Sequence, residues 1–429
     1  MKITILVIGS RGDVQPLLAL GLGLKKAGHT VKLATHDIFK DMIINQGLDF
    51  APIQGNPKEV LEGKEGKDWL NTGLNMISFS WKLKNLIQSS VIDVIDDFWK
   101  ACEDSEAIIF SILSVVGPDI AEKKGIPCFA GLLQPVTPTY EFPSFMATSI
   151  FSVSRFYNKL TGLIGEQLYW QIFKNPVNQW RRKFLNLPYK PFYGPFREMR
   201  RKKLPILYGF SPVVVPKPFD WPSWIHITGY WFLDAPLHWK PPAELVDFLK
   251  SGPPPVYIGF GSMSHIDPKG VTDMVLKALR ISGQRGILGA GWSGLGNREL
   301  PDDILGIESI PHDWLFPRTR AVVHHGGAGT TSAGLRAGIP SIITPLFGDQ
   351  FFWAGRVHAL EVGPPPIPKG KLTAETLAMV INKTLNNKKI RMRAEQVGKK
   401  IRSENGIEKA VEIIESYNRK NPTSHPFYS

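Results

Sequence analysis

The chain has 429 residues, 43% hydrophobic and 21% charged, which is too long for one hydrophobic core and too apolar for a disordered segment, so two or three globular domains are expected. Its two cysteines, Cys102 and Cys128, sit far apart in apolar contexts without metal-ligand spacing and read as buried free thiols of a reducing compartment, not as a disulfide framework. The net charge of +13 leaves nucleic acid, an anionic membrane surface or a general solubility bias as its meaning, and no RNP, zinc-finger or helix-turn-helix signature supports the first of these.

Met1–Ser10 is apolar but lacks a small-residue cleavage site, and Arg11 and Asp13 interrupt it; it reads as a buried strand over Lys2–Ile8, not as a signal peptide. Gly9–Gly12 is a turn, apolar residues recur at helical spacing from Val14 to Ala27, Gly28 ends that helix, and Thr30–Thr35 is a second strand. Ile108–Ile112 and Cys128–Leu133 are further strands, each after a helical segment, which predicts a parallel sheet covered on both faces. Residues 140–203 break the rhythm with long helical, aromatic and basic stretches and are expected to be an insertion near a binding cleft. There Arg181-Arg182-Lys183 and Arg200-Arg201-Lys202-Lys203 lie among Trp170, Phe173, Trp180, Phe184, Tyr189, Phe192, Tyr193 and Phe196. A basic face with aromatic anchors suits adsorption to anionic lipid; the alternative is the charged surface of an ordinary helical subdomain.

Alternation resumes with Leu207–Gly209 and Val213–Val215, then meets the proline-rich joint Ala235–Pro242, a stiff segment suited to an interdomain linker. Beyond it come strands at Val256–Phe260, Gly286–Gly289, Leu305–Ser309, Ala321–His324 and Ser341–Pro345, with a helix near Val271–Ile281. Asn405 followed by Glu408 resembles a capping box for a last helix to about Tyr417. The expected organisation is a first domain over 1–234, a linker over 235–243, a second domain over 244–403 and a C-terminal helix and tail over 404–429. The fold class is α/β: two doubly wound, Rossmann-like domains facing each other across a cleft, with the site beyond the carboxyl ends of the strands. No stretch reaches the roughly 18 apolar residues that span a bilayer, so a cytoplasmic protein, soluble or peripheral on a membrane, is expected.

The strongest chemical signal is His324-His325-Gly326-Gly327-Ala328-Gly329-Thr330-Thr331, after an apolar strand and before a helical run. Glycines admit a ligand close to the backbone, and the following helix start offers free N–H groups and the positive end of a dipole. Thr330 and Thr331 add hydroxyls, and His325 can donate to a phosphate oxygen. The alternative is a glycine turn needed only for packing. The lysine of a Walker loop is missing, and no G-x-G-x-x-G follows the first strand, which argues against a dinucleotide oxidoreductase.

The stretches IGSRGDVQPLLALGLGLKKAGH, GFGSM (259–263) and PHDWLFPRTRAVVHHGGAGTTSAGLRAGIPSIITPLFGDQFFWAGRVHALEVG resemble the sterol glucosyltransferases, within the UDP-glycosyltransferases of GT-B fold; antibiotic and glycolipid transferases share parts of them. The resemblance covers nearly the whole chain and is weakest over 140–203. It implies inverting transfer of glucose from UDP-glucose, as co-substrate, to a hydrophobic acceptor, first of all the 3-hydroxyl of a sterol. The donor diphosphate would lie against Ser262 and the loop His325, Gly327, Ala328, Gly329, Thr330 and Thr331, with Ser10, Arg11 and Gly12 also on the donor side. Asp349 and Gln350 match the acidic–Gln pair that bonds sugar hydroxyls. Pro311 and His312 match the uracil-contacting segment, and Trp314 either stacks on the base or packs the cleft. Ala333 stands where plant small-molecule members carry a ribose-binding glutamate, and their stacking tryptophan falls near Ser309.

Asp13 occupies the base position, where many relatives carry histidine. A base must deprotonate the acceptor hydroxyl as it attacks the anomeric carbon. A helix N-terminus lowers a carboxyl pKa and desolvation raises it; the alternative role for Asp13 is helix capping. No Asp-x-Asp occupies a suitable strand–loop, so no metal cofactor is expected, and backbone N–H groups, Thr330, Thr331 and His325 would stabilise the leaving UDP. Glycolipid, carotenoid, triterpenoid or polyketide acceptors remain open. So do a non-catalytic sugar-nucleotide or lipid-binding protein and a UDP-sugar epimerase.

Overall fold

The apolar run after Met1 forms β1 (Lys2–Leu6), buried from Ile3 onward. In the computed structural model, which describes residues 1–56, 59, 91–145, 147, 154–236, 239–260, 268–289 and 299–420, β1 is followed by α1 (Arg11–Lys26), β2 (Thr30–His36), α2 (Lys40–Ile44) and β3 (Asp49–Ile53). Then come α3 (Val91–Ala101), β4 (Ala107–Phe110), α4 (Gly117–Lys124), β5 (Cys128–Leu132), α5 (Arg155–Trp180), α6 (Phe196–Arg201), β6 (Ile206–Tyr208) and β7 (Ile225–Ile227). These strands pair in parallel in the order β3-β2-β1-β4-β5-β6-β7. The order reverses between β1 and β4, and the crevice at the carboxyl ends there is where an open sheet of this kind takes a ligand.

The rest of the chain supplies α7 (Ala243–Lys250), β8 (Val256–Gly259), α8 (Pro268–Ser282), β9 (Gly286–Gly289), β10 (Ile304–Ile307), α9 (His312–Leu315), β11 (Ala321–His324), α10 (Ala328–Ala337), β12 (Ser341–Ile343), α11 (Gln350–Ala359), α12 (Ala374–Asn386), α13 (Lys388–Arg402) and α14 (Gly406–Lys420). Its five parallel strands run β10-β9-β8-β11-β12, and here the switch lies between β8 and β11. Contacts divide the chain into two units: Met1–Pro212, Pro216–Leu233 and Asn405–Ser429 in one, Val213–Val215 and Asp234–Glu404 in the other.

In the first unit α1 presses Val14, Leu17, Leu18 and Leu24 onto Ile3 and Ile5 of β1; each such fully buried side chain contributes about 1.5–3 kcal/mol relative to exposure. The last helix returns to this core through Ala410, Val411 and Ile414. A Cβ at Gly23 of α1 would fall on Ile407 of α14, so glycine sets how closely the two helices approach. The second unit packs Val275, Ala278 and Leu279 of α8, with Leu377 and Ile381 of α12, against Ile258, Leu288 and Val323 of the sheet.

Three local expectations are corrected. Val213–Val215 is a turn, not a strand: Pro212 and Pro216 flank it and lack the N–H groups a ladder needs, and its Val214 carbonyl instead accepts from Arg356 Nε at 2.7 Å. β3 and β7 are added, and both are edge strands of the larger sheet. The cluster Arg181-Arg182-Lys183 does not face solvent as a unit. Arg181 is buried in an ion network with Asp119 and with Glu122 (3.0 Å), which Lys190 joins through Glu122 (3.2 Å) and Glu198 (2.6 Å). Trp170, Phe173 and Trp180 are likewise buried.

Both cysteines are free and buried. Burial pushes the Cys102 thiol up to about 12, which leaves it protonated and inert at neutral pH. Among the described residues no helix is long and apolar enough to cross a membrane.

Candidate functional site

At the switch point of the first sheet, β1 leads through Gly9 into α1. Gly9 has φ +141°, and a Cβ there would fall on the carboxylate of Asp13, so glycine keeps that space open. Ser10 caps the helix with its backbone carbonyl, which accepts from Val14 N–H at 3.1 Å. The Asp13 carboxylate folds back to Ser10. Its Oδ2 accepts from the Ser10 N–H (2.8 Å) and the Ser10 hydroxyl (3.0 Å). Among the described residues no donor reaches Oδ1, so capping occupies one oxygen and leaves the other for a ligand.

Burial raises the Asp13 carboxyl above its ordinary value, with the two Ser10 bonds opposing the rise. The net direction strengthens it as a base. Arg11 and Gly12 are exposed. Arg11 Nε donates to Gln15 Oε1 at 3.0 Å, and Gln15 Nε2 donates to the Leu233 carbonyl at 3.4 Å.

At the switch point of the second sheet, β11 ends at His324 and the glycine loop leads into α10. Gly326 has φ +95°, and a Cβ there would meet Ile343 Cγ2 at 2.7 Å and the Gln350 carbonyl at 3.1 Å. A Cβ at Gly327 would lie 2.7 Å from His325 Nε2. The first intrahelical bond runs from Thr331 N–H to the Gly327 carbonyl at 3.0 Å, so the N–H groups of Ala328, Gly329 and Thr330 have no partner within the helix. The Thr331 hydroxyl is buried without a partner, while Thr330 is half-buried. Amides without a helix partner, at the positive end of the helix dipole, suit an anion.

His324 is fully buried, and its Nδ1 accepts from Gly326 N–H at 3.0 Å. Burial holds it well below the ordinary imidazole range, aided by neighbouring His325 and His312; the ring is neutral, with its proton on Nε2. His325 is pushed down to about 4 by burial, opposed by the backbone of Gly259. At neutral pH it therefore offers one N–H and no positive charge.

Asp349 and Gln350 open α11. The Asp349 Oδ2 accepts from the indole N–H of buried Trp353 at 3.0 Å. Gln350 is buried, and its Oε1 accepts from Leu346 N–H (2.8 Å) and Phe347 N–H (3.3 Å). Its side-chain carbonyl thus holds the preceding loop, and only its NH2 stays outside these two bonds.

Pro311 accepts from Trp314 N–H (3.2 Å) and Leu315 N–H (3.0 Å), starting the single turn α9. His312 stacks on Phe316 with ring centres 4.2 Å apart. Trp314 meets the edge of Trp239 at 5.6 Å and carries the Arg318 guanidinium 4.2 Å from its centre, so packing contacts already engage its ring. Ala333 packs in the small cluster around Tyr257 and Phe316, and Ser309 is exposed. Ser262 lies outside the described residues.

These two sites fall within stretches that match known families. Residues 3–143 match the model of the Glycosyltransferase family 28 N-terminal domain, and residues 292–416 that of the Erythromycin biosynthesis protein CIII-like C-terminal domain. Sterol 3-beta-glucosyltransferases of Cryptococcus neoformans var. neoformans and Candida albicans are 40% and 41% identical to this chain over 96% and 97% of its length. The chain belongs to the UDP-glycosyltransferase family. It spans about a quarter of the length of these relatives, 27% and 28%.

Among solved structures, the glycosyltransferase of kitacinnamycin matches with a TM-score of 0.70 at 17% identity, covering 97% of this chain and 98% of that one. The glycosyltransferase VinC in complex with DTDP matches at 0.68 and 17% identity, over 98% and 100% of the two chains. The fold is the GT-B fold expected from the sequence, built of two Rossmann-like domains.

Around these sites, three supporting side chains escape a sequence reading. His324 ties down the glycine loop, and Trp353 orients Asp349 from one helical turn away. Tyr257 lies across the ends of β8 and β9, where a Cβ at Gly259 would meet its hydroxyl at 2.5 Å. The i, i+4 spacing of Asp349 and Trp353 was a signal available in the sequence.

Proposed function

We propose that the chain moves glucose from UDP-glucose to the 3-hydroxyl of a sterol with inversion, giving a β-glucoside. The observation that carries this reading is the strand–glycine loop–helix at His324–Thr331, whose first three helix amides have no partner among the described residues, in a chain 40% identical to proteins named sterol 3-beta-glucosyltransferase. The names support a sterol acceptor, and the helix start after β11 supports a diphosphate-bearing donor.

In the proposed step, Asp13 Oδ1 takes the proton of the acceptor hydroxyl as its oxygen forms a bond to the anomeric carbon. The bond from that carbon to the UDP oxygen breaks on the opposite face, which inverts the configuration, and Asp13 later returns its proton to solvent. The charge left on UDP falls to the amides at the start of α10, the Thr331 hydroxyl and the neutral His325 N–H. Fixed donors of this kind typically contribute about 10²–10³ each to kcat. The Asp349 carboxylate and the Gln350 NH2 hold sugar hydroxyls. In this reading no metal is required, so turnover persists in excess EDTA.

The test is incubation of the purified chain with UDP-glucose and cholesterol, sitosterol, diacylglycerol, a carotenoid and a macrolide, following UDP release and product mass. A sterol hexoside is expected, absent with Asp13→Ala. A macrolide hexoside alone would move the acceptor to the polyketide class, which the match to the erythromycin-type C-terminal domain favours as a second reading. UDP release without any glycoside would point to a hydrolase or epimerase instead.

A further inference from the structure

Most of the chain's excess charge is concentrated in one segment. Residues 142–219 hold 13 lysines and arginines against two carboxylates, Glu166 and Glu198, a net +11 of the whole chain's +13. Both carboxylates are spoken for within the fold: Glu166 pairs with Arg200 at 2.6 Å, and Glu198 with Lys190 at 2.6 Å and Lys202 at 2.8 Å. Arg182, Lys183, Arg197 and Arg201 remain exposed.

The same segment exposes apolar side chains in a line. Along α5, Phe156, Leu160, Leu163 and Ile164 are 73%, 42%, 43% and 43% exposed, and their spacing places them on one face of the helix. Gln167, Gln171 and Lys174 continue that face. Gln167 and Gln171 donate to the Phe192 carbonyl at 3.0 and 3.1 Å, and Lys174 Nζ lies 4.9 Å from the Phe192 ring centre. The returning loop therefore lays Phe192, itself 65% exposed, along the same stripe. From Phe156 to Lys174 the stripe runs roughly 27 Å at the helical rise. Single exposed hydrophobic residues are ordinary, but four on one helix face, with Phe192 laid along the polar continuation of that face, mark a contact surface. The buried ion network of Arg181 and Lys190 fixes the base of the loop, so the row is presented on a rigid support.

We propose that this face of α5, with the loop that returns along it, docks flat on an anionic lipid bilayer. Phe156, Leu160, Ile164 and Phe192 enter the interface while the exposed bases beside them meet the head-group charge. An apolar stripe flanked by bases and without unpaired acids is the pattern of helices that lie in the plane of such an interface. The cation over the Phe192 ring, and those over Phe184 (Lys183, 5.2 Å) and Tyr193 (Arg197, 5.4 Å), place charge and aromatic ring at one depth. The surface is independent of the glycosyl-transfer reading, because docking requires no turnover.

The test is flotation of the whole chain with phosphatidylcholine vesicles and with vesicles containing phosphatidylserine. Binding to the anionic vesicles is expected, at least tenfold weaker on the neutral ones and weaker again in high salt. Phe156→Ser with Leu160→Ser and Phe192→Ser should lower it at least tenfold. Arg182→Glu with Lys183→Glu and Arg197→Glu should abolish the preference for anionic lipid. All six positions are exposed or half-exposed, so an unchanged thermal midpoint shows that the variants fold. Absence of wild-type binding to either vesicle overturns the proposal, as does equal binding of wild type and both variants. Binding of single-stranded RNA without vesicle binding would assign the face to nucleic acid and equally overturn it.

Discussion

The turn after β1 and the loop after β11 share one construction and differ in charge. Each follows a buried parallel strand, passes through a glycine at positive φ (Gly9, Gly326) and enters a helix at its sheet's switch point. In the first, the helix start is met from within by the Asp13 carboxylate, which takes the Ser10 N–H and hydroxyl. In the second, among the described residues no side chain caps the helix start, and three amides and the Thr331 hydroxyl have no partner. A helix N-terminus attracts an anion wherever it stands; the protein supplies its own at one site and leaves room for a ligand's at the other. In the proposed reaction the first serves as the place for a base and the second as the place for a diphosphate.

The sharpest way to break this contrast is at Asp13. Asp13→Asn should lower turnover by roughly 10²–10⁴ while leaving the Kd for UDP-glucose within about twofold, measured by steady-state kinetics and calorimetry. Next is the loop itself. Gly326→Ala adds a Cβ against Ile343 and the Gln350 carbonyl at φ +95°, and should cost about 1–3 kcal/mol of stability together with donor affinity, seen in thermal melts and UDP titration. Thr331→Val removes the orphaned hydroxyl at nearly constant volume. It should weaken UDP binding about tenfold or less, a change of about 1 kcal/mol, with no loss of thermal stability.

The pH profile separates the two sites by sign. Asp13 acts as a base only when deprotonated, so kcat/KM should fall as pH drops through its raised pKa, on a limb above that of an ordinary carboxylate. Asp13→Asn should remove that limb. His325 stays neutral above about 4, so the UDP affinity should carry no histidine inflection between pH 5 and 8. Stability should respond in the same direction for a different reason. His324 and His325 have folded pKa values below the unfolded one, so the unfolded chain binds more protons at acid pH. Stability is then fully present above about pH 6.5 and declines by about 1 kcal/mol per pH unit per ring below it, measurable by denaturant titration at pH 5 and 7. The smallest expected effect is Trp353→Phe, which removes the donor to Asp349 Oδ2 and should raise KM for UDP-glucose a few-fold with little change in kcat.

Both turns were legible in the sequence because their signals are local: a short apolar run, glycines where the backbone needs positive φ, and helical periodicity directly after. The two edge strands β3 and β7 were not. β3 carries Pro52 and is fully buried only at Ile53, and β7 has only three residues, so neither resembles the continuous apolar run of a central parallel strand. Val213–Val215 misled for the opposite reason, being apolar and β-branched but boxed in by two prolines. The last helix begins where Asn405 predicted, and the Asn405 carbonyl accepts from Lys409 N–H at 3.0 Å.

The site residues divide in the same way. Asp13 and the glycine loop stand at positions their own neighbours dictate. That Gln350 spends its carbonyl on Leu346 and Phe347, and that Arg181 turns inward to Asp119 and Glu122, depends on partners that only the folded chain brings together.

The contrast between a filled and an open helix start is tested most directly by measuring, on one preparation each of wild type, Asp13→Asn and Thr331→Val, both the Kd for UDP-glucose and the rate of sterol glucoside formation. The expected result is a clean exchange: Asp13→Asn keeps donor affinity and loses turnover, while Thr331→Val loses affinity and keeps its dependence on Asp13. Asp13→Asn turning over within tenfold of wild type, or losing donor affinity as strongly as Thr331→Val, would contradict the assignment of base and diphosphate site to these two turns.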